Sequence, residues 1–98
     1  MNIQKNVNGT SLTFAVEGRL DTATAPRLEE EIGNSVDGVT ELVFDFEALD
    51  YISSAGLRVL LAAQKTMNRQ GKMLLKNVNE TVMEVLDITG FSEILSIE

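Results

Sequence analysis

The residue pattern predicts an α/β fold. A mixed, mostly parallel sheet of four to five strands opens with an N-terminal antiparallel hairpin and packs against three to four helices. Three observations predict it. An Asn8-Gly9 pair separates two strand-like segments. Short, dense apolar runs then alternate with segments of helical periodicity. Residues 1–98 also hold no linker, low-complexity stretch or internal repeat, so they read as a single domain.

In the hairpin, Ile3–Val7 and Ser11–Glu17 flank Asn8-Gly9, a pair suited to the positive φ angles of a type I′ turn. Leu12, Phe14 and Val16 alternate with Thr13, Ala15 and Glu17, which gives the second strand one apolar face. Gly18-Arg19-Leu20-Asp21 is expected to end that strand. Thr24 is the expected N-cap of a helix with Ala25 and Pro26 in its first turn, where a missing N–H costs nothing. Leu28, Ile32 and Val36 recur at helical spacing, Glu29–Glu31 mostly point outward, and Gly38 closes the helix.

Glu41–Phe46 suits a strand buried on both faces, with Asp45 as the exception. Asp45 reads as a strand-end hydrogen-bond acceptor; a receiver-type phosphate site would need a second acidic residue and a Lys that cannot be placed. A second helix is expected from about Ser54 to Arg69, burying Leu57, Leu60, Leu61 and Met67 and stopping at Gly71. Met73–Leu75 is a buried strand. Asn79 caps a third helix with Val82, Val85 and Leu86 inward and Gly90 after its end. Ile94–Ile97 is either a last short strand or an irregular tail.

Composition excludes several kinds of chemistry. With no cysteine and no histidine, the chain has no disulfides, no usual zinc ligands and no histidine-based nucleophile system. No spaced Asp/Asn loop suggests a metal, and no cofactor is expected. A formal net charge of −7 and the lack of a basic stripe argue against nucleic acid and against an anionic membrane surface. MNIQKNVNG lacks the apolar core of a signal peptide, and no apolar run is long enough to span a bilayer, so a cytoplasmic location is expected. A basic patch on a protein partner is the natural match.

Asp50 to Leu61, DYISSAGLRVLL, follows a buried strand and opens a helix. Ser53 or Ser54 can cap that helix, and Ala55 and Gly56 leave room for another surface to approach the backbone. A phosphate here would sit at the positive end of the helix dipole, which stabilises an anion by about 0.3–1 kcal/mol when exposed. On spacing alone, Ser-Ser before a helix reads as a cap. As a serine hydrolase loop SSAG is not G-x-S-x-G, and a Ser-Lys arrangement would use Lys65 or Lys72, neither of which the sequence places near Ser54.

DYISSAGLRVLL resembles the segment around the phosphorylated serine of anti-sigma factor antagonists, the founding members of the STAS family. Tyr51 and Ile52 match the family's aromatic and apolar positions, Ser54 the phosphoacceptor, Ala55 the small residue and Gly56-Leu57 the end. Ser53 stands where many members have Asp and is the competing acceptor; the register to Gly56-Leu57 favours Ser54. EGRLDTATAPRLEEEI, LVFDFEALDYISSAGL and LDITGF resemble further family segments in the family's order. The resemblance implies the STAS fold and a protein that catalyses nothing. It implies an anti-sigma factor serine kinase as partner, bound by the unphosphorylated protein so that the sigma factor is released. It also implies loss of that binding when Ser54 is phosphorylated, and a serine phosphatase that resets the switch. Asp21, Thr22, Ser53, Ser54, Ala55, Gly56, Leu57 and Arg58 are the expected partner-binding residues. Asp21 could equally shape an Asx-turn, and Arg58 could be an ordinary exposed helix residue. The alternative on the same fold is an unphosphorylated STAS scaffold subunit of a signalling or lipid-transport complex.

Overall fold

The computed structural model describes residues 1–98. Its strands are β1 (Asn2–Asn8), β2 (Ser11–Leu20), β3 (Glu41–Asp45), β4 (Leu49–Ile52) and β5 (Lys72–Lys76), and its helices are α1 (Ala25–Ser35), α2 (Ser54–Gln70) and α3 (Glu80–Ile88). The sheet order is β1-β2-β3-β5, with β4 paired to β2. Only β1–β2 is antiparallel; every other pairing is parallel.

The hairpin forms, but its turn is displaced by one residue from the expected one. Asn8 pairs with Ser11, so Gly9 and Thr10 are the central residues. Gly9 has φ 63, while Thr10 is not among the residues of positive φ. That is the pattern of a type II′ turn, in which Gly takes the first central position, rather than type I′.

Strand β2 runs further than its sequence suggests. Gly18 does not stop it; with φ 93 it absorbs a register shift, and Arg19 and Leu20 go on to pair with Tyr51 and Ile52. The partner strand β4 is absent from the sequence-based expectation. Four residues, with only Leu49 and Ile52 buried, are too few to show a period.

Leu12, Phe14 and Val16 of β2 and Leu42 and Phe44 of β3 join one core cluster with Leu28, Leu60, Met67, Leu75 and Leu86 from the other elements. Phe14 stacks on Phe44 and Phe44 meets Phe46, each pair with centroids 5.9 Å apart. Asp45 is the strand-end acceptor its position suggests: Oδ1 takes hydrogen bonds from the Glu47 amide (3.1 Å) and from Asn77 Nδ2 (3.0 Å). At the other end of the sheet, Ser11, Glu41 and Lys72 lie side by side on β2, β3 and β5. Glu41 accepts from Ser11 Oγ at 3.1 Å and pairs with Lys72 at 3.1 Å. The Lys72 contact, then the Ser11 hydroxyl, hold the Glu41 carboxyl below its ordinary pKa.

Three smaller expectations change. Thr24 precedes α1 but makes no side-chain cap, because its hydroxyl is engaged by Arg19 and Asp21. Leu61 is only half-buried; Val59 and Ala63 of α2 are buried instead. The C-terminal segment combines both alternatives: a 3₁₀ turn over Phe91–Glu93, then a single parallel bridge from Ile97 to Leu75. Asn79 caps α3 as its position predicts, accepting from the Val82 amide at 2.8 Å.

Two glycines should respond in opposite ways to alanine. At Gly71, a Cβ would collide with the Thr40 carbonyl, whose backbone the β5 entry needs for the Lys72 N–H bond. G71A should therefore destabilise the protein by about 1–3 kcal/mol. Gly33 lies within α1 and a Cβ there meets nothing within 4 Å. G33A should stabilise by about 0.5–1 kcal/mol. Urea titration of both variants, read as the shift in midpoint, checks the pair.

Candidate functional site: the serine loop and the end of β2

The candidate site forms where β2 and β4 end together. The Ser53 amide donates to the Leu20 carbonyl at 2.9 Å, which ties the serine loop to the segment that leads into Asp21. The Asp21 and Ser54 regions, far apart in sequence, thus become neighbours.

Asp21 forms the Asx-turn its position allows. Its Oδ1 accepts from the Ala23 amide (3.0 Å) and the Thr24 amide (3.2 Å), and its own amide donates to Thr24 Oγ1 at 2.9 Å. Arg19 Nε approaches Asp21 Oδ2 at 3.6 Å. Partial desolvation works to raise the Asp21 pKa. The Thr24 and Ala23 amides, the Thr24 hydroxyl and the Arg19 charge together outweigh it and hold the carboxyl below 3.8. Arg19 also lies over the Tyr51 ring, 4.4 Å from its centroid. Sequence reading placed Arg19 and Tyr51 only within motifs. Their pairing depends on β4, which was not legible.

The two serines differ sharply. Ser53 occupies the N-cap position of α2 in extended conformation, and its carbonyl accepts from the Leu57 amide, yet its hydroxyl makes no cap bond. Ser53 Oγ is buried and has no hydrogen-bond partner within the chain. Ser54 is the first residue of the helix and is exposed. Arg58, one turn further on the same face, is exposed as well.

The remaining expected contact residues divide between surface and core. Thr22 is exposed, and Asp21 and Ala55 are half-buried. Gly56 and Leu57 point into the core. Gly56 does not leave room for an approaching surface: a Cβ there would lie 2.8 Å from both Ile52 Cγ1 and Leu20 Cγ. The missing side chain lets α2 start directly on top of β2 and β4. The largest cleft, about 280 Å³ and lined by Asn2, Gln4, Glu17, Asp45 and Glu47 among others, includes none of these residues. No helix is long and apolar enough to cross a membrane.

Two outcomes are expected. G56A should destabilise the protein by about 1–3 kcal/mol, since Leu20 and Ile52 are fully packed and must move. A carboxyl whose pKa is lowered on folding stabilises the fold above its unfolded value, and that contribution is lost as pH falls through the folded value. Between about pH 5 and the lowered Asp21 pKa, wild type should therefore lose more stability than D21N, whose amide oxygen keeps the Asx-turn without the charge. Parallel acid titrations followed by circular dichroism test this, and coincident curves would contradict it.

Residues 2–98 match the STAS domain family. The putative anti-sigma factor antagonist BtrV of Bordetella bronchiseptica is 40% identical over 88 residues, covering 88% of this chain and 76% of that protein. An anti-sigma factor antagonist from Mycobacterium paratuberculosis superposes with a TM-score of 0.89 at 24% identity, over 98% of this chain and 83% of that one. The phosphorylated form of the Bacillus cell fate determinant SpoIIAA superposes with a TM-score of 0.77 at 20% identity, over 99% and 91% of the two chains. From its β-hairpin to its C-terminal bridge, and through the serine loop between them, the chain belongs to the STAS-domain family of anti-sigma factor antagonists.

Proposed function

We propose that this protein is an anti-sigma factor antagonist whose unphosphorylated form binds an anti-sigma factor serine kinase and releases the sigma factor, and that phosphorylation of Ser54 ends the binding. One observation carries the reading. Ser54 is exposed at the first position of a 17-residue helix, while the adjacent Ser53 hydroxyl is buried. A kinase must reach its acceptor oxygen, which favours Ser54 over Ser53.

The phosphate would meet a suitable electrostatic setting. It would face the positive end of the α2 dipole and the free amides of the first turn. Arg58 lies one turn below and makes no ion pair in the free protein. The fold can therefore carry the added charge. A partner seated on Thr22, Ser54 and Arg58 would instead meet roughly two negative charges in the contact and lose affinity. Gly56 and Leu57 support this surface from below. A serine phosphatase would restore it.

Intact-protein mass spectrometry after incubation with ATP and each anti-sigma kinase of the same genome tests the reading. One added phosphate, retained in S53A and lost in S54A, is expected. S54D should bind the kinase at least about tenfold more weakly than wild type while keeping its circular dichroism spectrum. No phosphate with any kinase, or a tightly binding S54D, would overturn the switch. It would favour the unphosphorylated scaffold reading, with Ser54 as an ordinary helix start.

A further inference from the structure

The chain carries an unusual surface where α3 ends. Only three large apolar side chains are exposed in the whole protein: Val7, Ile88 and Ile94. Val7 stands alone on β1. Ile88 and Ile94 both sit where α3 ends, at 77% and 52% exposure. Gly90, with φ 81, turns the chain there, and the 3₁₀ turn over Phe91–Glu93 packs back on α3.

Neither burial nor helix propensity accounts for Ile88. Helix α3 buries Val82 and Leu86, and Ile88 projects from the opposite side, in line with Glu84. A β-branched residue there adds nothing to the helix itself.

The charge of this segment is one-sided. After Lys76 the chain has five carboxylates (Glu80, Glu84, Asp87, Glu93 and Glu98) and no Lys or Arg. None of the five is in an ion pair; the only two pairs in the protein are Arg19–Asp21 and Lys72–Glu41. The last turn of α3 has no basic residue, so the negative end of its dipole is also uncompensated. Apolar side chains, unpaired carboxylates and a helix C-terminus thus coincide.

We infer that the C-terminal end of α3, with Ile88 and Ile94 at its centre, docks a basic amphipathic segment of a protein partner. The apolar side of that segment covers the isoleucines, and its Lys or Arg side chains face Glu84, Asp87, Glu93 and the α3 carbonyl end. Charge selects this occupant. A second copy of the same surface would oppose carboxylate to carboxylate, and an anionic membrane would be repelled. Two isoleucines are a small anchor, so the contact is weak and exchanges fast.

The surface is separate from the serine loop. Ile88, Ile94 and the carboxylates between them belong to α3 and the 3₁₀ turn after it, whereas the serine loop belongs to the end of β4 and the start of α2. The inference therefore does not depend on phosphorylation of Ser54.

The test uses ¹⁵N-labelled full-length protein titrated with a synthetic amphipathic Leu/Lys peptide and, separately, its Leu/Glu counterpart. Amide shifts should centre on Glu84 to Leu95 with the Leu/Lys peptide only. The double variant I88S/I94S, which removes exposed side chains and should leave the remaining spectrum unchanged, should weaken binding by about tenfold. Shifts centred on Glu29–Glu31 would reduce the effect to general attraction by an acidic protein and overturn the inference. Equal binding of both peptides, or no shift at all, would overturn it as well. Concentration-dependent dimerisation in sedimentation that I88S/I94S abolishes would assign the surface to self-association instead.

Discussion

Strand β2 is the constraint on which the architecture depends. Along its ten residues it pairs with β1, β3 and β4. No other strand of this sheet has three partners. The change from β3 to β4 requires a break in register, and Gly18 supplies it with a backbone conformation that L side chains rarely adopt. Once β2 has shifted, Leu20 is carried into the core and its carbonyl meets the Ser53 amide. Asp21 then emerges beside the serine loop. The geometry of the candidate site is thus set by a backbone irregularity before it, and only secondarily by the side chains at the surface.

That dependence explains which parts were legible from sequence. The helices and β2 follow from periodicity because each buries a face long enough to repeat (Leu12-Phe14-Val16, Leu28-Ile32, Val82-Leu86), and β3 and β5 follow from their dense apolar runs. The Asn79 cap follows from local chemistry alone. Strand β4 does not, since a four-residue strand with polar Asp50 in the middle gives no period, and its pairing with β2 is a tertiary fact. The type II′ hairpin and the engaged Thr24 hydroxyl were missed for a related reason. Each depends on a neighbour that sequence spacing does not identify, Ser11 for the turn and Arg19 for the threonine. At the site, the serine motif and Asp21 could be named in advance. The contrast between a buried Ser53 hydroxyl and an exposed Ser54 could not, because it depends on tertiary packing around the β4–α2 junction.

The site also shows how the first turn of a helix can be held steady at a surface. Gly56 is packed against Leu20 and Ile52, and Leu57 is buried beside it, so the first turn of α2 is anchored from within. The polar groups above it are arranged around that anchor. Asp21 is held by two amides and a hydroxyl, and Arg19 lies between Asp21 and Tyr51. A charge added at such a surface would act on its electrostatics above an anchored backbone.

The bridge between Ile97 and Leu75 has a consequence for solubility. An open sheet has two edges, and an uncovered edge is a template for pairing with other chains. Here the two edges are protected by different means. β1 is almost wholly exposed but is polar and charged along most of its length, with Asn2, Gln4, Lys5, Asn6 and Asn8. β5 contains Met73, Leu74 and Leu75, a poor sequence to leave uncovered. Its outer side is guarded by the C-terminal segment, where Leu75 donates to the Ser96 carbonyl and accepts from the Glu98 amide, both at 2.9 Å. Those last residues cover an aggregation-prone seam, and removing them would leave the outer edge of β5 open to pairing with other chains.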